Sequence, residues 1–92
     1  MRGINVDINA LPRVAQDLDD VVNSLYSLTN ESRKILSTIK NVWDDEQFEA
    51  FSKVISANNI EIEKLCPGII DVSGQIKQYY ADLNTALNKF YR

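Results

Sequence analysis

The groups in this chain that could do chemistry are its carboxylates, one thiol and four tyrosines. Histidine, the commonest general base and metal ligand near neutral pH, is absent from the sequence. The lone Cys66 therefore has no imidazole to activate it, and it stands before Pro67 in an apolar run, so it reads as a packing residue. A single cysteine also excludes an internal disulfide. The carboxylates gather at Asp17, Asp19 and Asp20 and again at Asp44, Asp45 and Glu46. Most fall off the apolar stripe described below, where a solvated helix face is the expected role. No glycine-rich phosphate loop, zinc spacing or calcium-loop pattern occurs, so neither a cofactor, a metal nor an enzymatic activity is expected.

The elements that would carry these residues are legible from spacing. At 92 residues, 45 % of them hydrophobic, the chain suffices for one domain spanning residues 1–92. Apolar residues recur at Leu11, Val14, Leu18, Val21, Leu25 and Leu28, then through Ser32 to Ile35, Ile39 and Val42, with steps alternating between three and four. The rhythm restarts at Phe48 and runs through Phe51, Ile55, Asn58, Ile62, Leu65, Ile69, Val72, Ile76, Tyr79, Leu83 and Ala86 to Phe90. The expected fold is all-α: a first helix over about 10–42, a turn at about 43–45 and a second helix over about 46–90, folded as an antiparallel hairpin. Pairing Val42 with Phe48, Ile39 with Phe51 and Leu11 with Tyr79 aligns the two stripes and sets the polar members Ser32 and Asn58 opposite each other. A hydroxyl and an amide in one buried layer would satisfy each other and fix the register.

The helix ends fit this plan. Asp7 or Asn9 offers an N-cap ahead of Pro12, which a first turn tolerates. Lys34 and Lys40 suit the dipole at the end of the first helix. Asp44 with Gln47 three residues later reads as a capping box for the second. Pro67 and Gly68 interrupt that helix, yet the stripe keeps phase from Leu65 to Ile69, so a kinked helix fits better than a loop and a third helix.

Composition narrows the partners. The net charge is only −3 and the charges are interleaved, which leaves no basic face for nucleic acid. No apolar run is long enough to span a membrane, and the opening residues lack the apolar core of a Sec signal peptide. A first helix about 48 Å long in a two-helix hairpin forms one layer, whereas a domain needs two. Beside the main stripe lies an apolar flank, Val22, Leu36 and Trp43 with Thr29 among them, matched on the second helix by Cys66, Tyr80 and Leu87. That flank is the expected place for a second hairpin, giving a four-helix bundle.

A hairpin of this length, with INVDINALPRVAQDL leading into the first helix, Trp43 at the inter-helix turn and a phenylalanine-bearing restart, resembles the WXG family, the early-secreted-antigen-type small helical proteins of bacterial type VII secretion. The likeness spans nearly the whole chain, but only Trp43 matches a motif position outright. Asp45 stands where the family has glycine. The family's C-terminal signal, a tyrosine followed four residues later by Asp or Glu, is not met: Leu83 follows Tyr79 and Asn84 follows Tyr80 at that offset, while Asp82 lies near both. The resemblance implies a homodimer or heterodimer with a related hairpin, export without a Sec signal peptide, and association with a larger secreted effector and the secretion ATPase. It also implies a recognition role for Trp43, Asp45, Tyr79, Tyr80 and Asp82, with export through a partner that bears the signal or through a degenerate signal in QYYADL. The competing expectation is a cytoplasmic helical adaptor or chaperone that covers an amphipathic segment of another protein.

Overall fold

A computed structural model describes residues 7–90, the side chain of Phe90 excepted. The start of the INVDINALPRVAQDL stretch, residues 4–6, lies outside the described residues, as does the Phe90 side chain that ends the stripe. Asp7 opens one turn of 3-10 helix, Ile8–Ala10, its carboxylate accepting from the Asn9 N–H at 3.1 Å. Helix α1, Leu11–Lys40, follows with Pro12 in its first turn, and α2, Glu46–Phe90, returns antiparallel to it. Helix α1 stops two residues short of the expected end, and residues 41–45 make the turn. Pro67 sits inside an unbroken α2. Pro67 and Gly68 are both exposed, on a side where water can meet the carbonyl that proline leaves without a donor.

The result is a rod of 70 × 23 × 15 Å with a radius of gyration of 20.9 Å, against about 12 Å for a compact chain of this length. The last two turns of α2 run past the start of α1, and residues 84–89 are all exposed, Leu87 among them.

The face that closes the hairpin differs from the one that large apolar residues mark out. Ala15, Val22 and Thr29 of α1 and Asn59, Cys66 and Ser73 of α2 are buried, and Leu36, Ser52 and Tyr80 are half-buried in the same seven-residue series. The residues expected to share the seam, Val14, Val21, Leu28, Ile35 and Val42 with Phe51, Asn58, Leu65, Val72 and Tyr79, are exposed instead. Leu18, Leu25, Ser32, Ile39, Ile55, Ile62, Ile69 and Ile76 lie half-buried between the two sets. Each helix is thus turned by about one heptad position, roughly 50°, from the expected contact. Val22 and Leu36, with Thr29, Cys66 and Tyr80, do not make the partner-facing flank that spacing assigns them; they form the interior of the hairpin. The physical reason is size: alanine, serine, threonine and cysteine let two helix axes approach closely, and the close approach brings polar groups into hydrogen-bonding range.

Those polar groups tie the helices at three levels. Glu63 takes a bidentate pair from Arg33, at 2.8 and 2.7 Å, and its Oε2 also accepts from the Thr29 hydroxyl at 2.8 Å. Arg33 and then Thr29 hold the Glu63 carboxyl down at about 2. Further along, Asp19 accepts from Lys77 at 2.8 Å and from the Ser73 hydroxyl at 2.7 Å, which together lower its pKa. The second cluster repeats the first with the helices exchanged. In each, a buried hydroxyl is followed four residues later by a cation, and the opposite helix supplies the acid. On the turn side of the first cluster Asn59 donates to Ser32 at 3.0 Å. Ser32 therefore has its amide partner, but it is Asn59; Asn58 is exposed.

Candidate interaction surface

The rotation of the seam decides what the hairpin shows to solvent. Around each helix the order of heptad positions runs from the buried series through the half-buried leucines and isoleucines to the exposed apolar series. Because the helices are antiparallel and the order runs the same way on both, these series fall on one side of the rod. The ion pairs of Arg33 with Glu63 and of Lys77 with Asp19 lie on the other side. The hairpin therefore has a front of Leu, Ile, Val and Phe and a back of charges. An open groove of about 220 Å³ follows the front between the helices, lined by Leu28, Ile35, Ile39, Phe51 and Ile55 with Glu31 at its rim. Leu28, Ile35 and Leu65 are more than half exposed.

At the closed end the turn builds an aromatic cluster. Trp43 stacks on Phe51 with centroids 6.2 Å apart and meets Phe48 edge-on at 5.5 Å. Phe48 is buried beneath it, whereas Trp43 keeps 38 % of its surface exposed and Val42 keeps 88 %. The cap of α2 is Asp45, whose carboxylate accepts from the Phe48 N–H at 3.0 Å while its carbonyl accepts from Glu49 at 3.0 Å. The Phe48 N–H, aided by the Trp43 indole and the Gln47 N–H, holds the Asp45 carboxyl below its ordinary range. The expected Asp44–Gln47 capping box is thus displaced by one residue, and Phe48 occupies the position a box would give to Glu or Gln. Asp45 needs no left-handed backbone here, since no described residue has a positive φ.

The other residues singled out by sequence lie far from this cluster. Tyr79 is exposed on the front face, Tyr80 is half-buried in the seam, and Asp82 is exposed and accepts from Gln78 at 2.9 Å. They stand about 50 Å along α2 from the turn. Within one chain Trp43 and the tyrosines do not form a common surface; Val22 is buried in the seam, and half-buried Leu36 reaches the front groove from it. Sequence reasoning puts Thr29 on the outer flank and Asp19 on a solvated face, and passes over Arg33, Glu63, Ser73 and Lys77; together these residues fix how the front face is presented. The repeated hydroxyl-then-cation spacing on both helices is the signal that could have found them.

Among the described residues no buried side-chain nitrogen or oxygen lacks a hydrogen-bond partner, and no group of three His, Cys, Asp or Glu side chains could hold a metal ion. Partial burial raises the pKa of the Tyr26 hydroxyl, with Cys66 and Glu63 beside it adding to the shift. No described helix is long and apolar enough to cross a membrane. A search against known protein families, curated proteins and solved structures gives no match to this chain.

Proposed function

We propose that the protein is a non-catalytic binding module whose front face pairs with a second amphipathic hairpin to make a four-helix bundle, and that it serves type VII secretion as a small WXG-like substrate or as an adaptor for a larger effector. The observation that carries the first part is area. The chain exposes 7351 Å², whereas a compact protein of 10.5 kDa exposes about 5,400 Å². That excess is of the order that an obligate interface buries, and the front face supplies apolar surface for one. A rod 15 Å thick is one helix layer, and a stacked hairpin provides the second.

The secretion reading rests on the resemblance of Trp43 at the turn between two helices of this length. The turn displays Trp43 and Val42 at one end of the rod, and Tyr79 and Asp82 lie toward the other. An antiparallel partner would set its own far end beside this chain's turn, bringing the two kinds of surface together across chains. The competing reading, a cytoplasmic adaptor, uses the same front face on a single helix of a client protein. Expression with an intact type VII apparatus, and again without its ATPase, separates the two. Export that stops when the ATPase is removed supports secretion. A chain that remains in the cytoplasm in both backgrounds overturns it and leaves the adaptor.

A further inference from the structure

The front face is bordered mostly by acids. Asp17, Glu31, Glu61 and Asp82 each stand three residues after an exposed front position, namely Val14, Leu28, Asn58 and Tyr79, and so lie along the two outer margins of the apolar strip. Glu31 is seen there directly, at the rim of the front groove. Glu61 is partly neutralised by Lys64 on its own helix at 3.0 Å, whereas Asp17, Glu31 and Asp82 enter no salt bridge among the described residues. The one cation at the same offset is Lys89, in the last turn of α2. Arg33 and Lys77 are committed to the back, and Lys40 and Lys53 line a recess on the back of the turn.

We infer that the cognate occupant of the front face is a different helical hairpin, one whose apolar strip is bordered by lysine or arginine, and that pairing with a second copy of this chain is selected against by charge. This rests on the reading of the front face as a pairing surface and says which partner fits it. Stacking two copies front to front brings acidic margins together whether the rods run parallel or antiparallel, because each margin carries acids and, among the described residues, Lys89 is the one cation at that offset, while Arg13, Lys34 and Lys64 stand one heptad position further toward the back. Juxtaposed like charges suppress wrong partners and slow their encounter, while opposite margins steer the right one. The apolar strip supplies the adhesion and the margins supply the choice.

The test can be run before the partner is identified, since a charge-reversed copy reproduces its chemistry. The triple variant Asp17→Lys/Glu31→Lys/Asp82→Lys keeps the apolar strip and touches none of the ties between the helices. Asp20→Lys/Glu49→Lys/Asp71→Lys has the same net charge but carries its changes away from the front margins. Sedimentation in 50 mM salt is expected to show wild type with the front variant associating about tenfold more tightly than wild type alone or wild type with the control. In 1 M salt, where the screening length falls to about 3 Å, the advantage is expected to vanish and wild-type self-association to strengthen. Wild type pairing with itself as tightly as with the front variant in 50 mM salt overturns the charge-selection claim while leaving the front face as the interface. No association of any mixture at either salt concentration overturns the front-face reading itself.

Discussion

Leu28 and Thr29 are neighbours whose importance to the hairpin should be the reverse of what their side chains suggest. Thr29 is fully buried and its hydroxyl donates to the Glu63 carboxylate at 2.8 Å, whereas Leu28 is 56 % exposed on the front face. Replacing Thr29 by alanine removes a hydrogen bond to a charged acceptor, worth about 1.5–3 kcal/mol, and a buried methyl worth about 0.8 kcal/mol. Alanine returns about 0.5 kcal/mol through helix propensity, which leaves a loss of about 2–3 kcal/mol. Leu28→Ala in a closed seam would cost about 2–5 kcal/mol. With more than half of Leu28 already in water, the loss within a single hairpin is held to about 1 kcal/mol. Urea unfolding followed by helical circular dichroism, at low salt and at concentrations where one chain sediments alone, measures both. A Leu28→Ala loss above 3 kcal/mol together with a Thr29→Ala loss below 0.5 kcal/mol would show that the large apolar stripe, and not the small-residue seam, closes the hairpin.

The same rotation is checked one residue at a time at Asn58 and Asn59: Asn59→Ala should cost about 1 kcal/mol through the lost bond to Ser32, and Asn58→Ala should leave the unfolding midpoint of the single hairpin nearly unchanged. Asp45→Ala should destabilise α2 by about 1 kcal/mol, while Asp44→Ala should not, a difference that thermal melts of the two variants resolve. Acid should loosen the hairpin in a defined window. Glu63 has its pKa depressed from 4.5 to about 2, so its contribution is complete above about 4.5 and is lost as the pH falls toward 2; the Asp19 contribution is lost in the same direction. In Glu63→Gln the fall in stability between pH 6 and pH 2.5 should be smaller than in wild type, and an equal fall would remove Glu63 as its source.

The two helices, the site of the turn and their antiparallel pairing follow from heptad spacing, because a stripe of leucine and isoleucine every three or four residues marks an amphipathic helix wherever it packs. What spacing could not decide was which neighbour each side of the stripe would meet. Hydrophobicity alone gives the first contact to Leu28 and Ile35, yet two helices of one chain close more tightly over Ala15, Thr29, Cys66 and Ser73, and the larger residues stay on the exposed front face. The Ser32 layer was legible to within one residue, since Asn58 and Asn59 are adjacent and only the rotation of α2 distinguishes them. The same holds at the turn, where Asp44 and Asp45 both offer a cap and the path from Val42 to Phe48 selects the second. The ties of Thr29 and Arg33 to Glu63, and of Ser73 and Lys77 to Asp19, were hidden because each joins residues distant in sequence. Polar residues of this kind read as solvated until the partner helix is placed.

Sedimentation equilibrium of the intact chain in 1 M salt tests the central claim most directly, because screening removes the acidic margins and leaves the apolar front to act alone. The expected mass is twice that of the chain, falling to a single chain when Leu28→Asp and Leu65→Asp are introduced together while helical content is kept. A wild-type chain that remains single at 100 μM in that buffer would contradict the proposal that its front face is built to be covered by another hairpin.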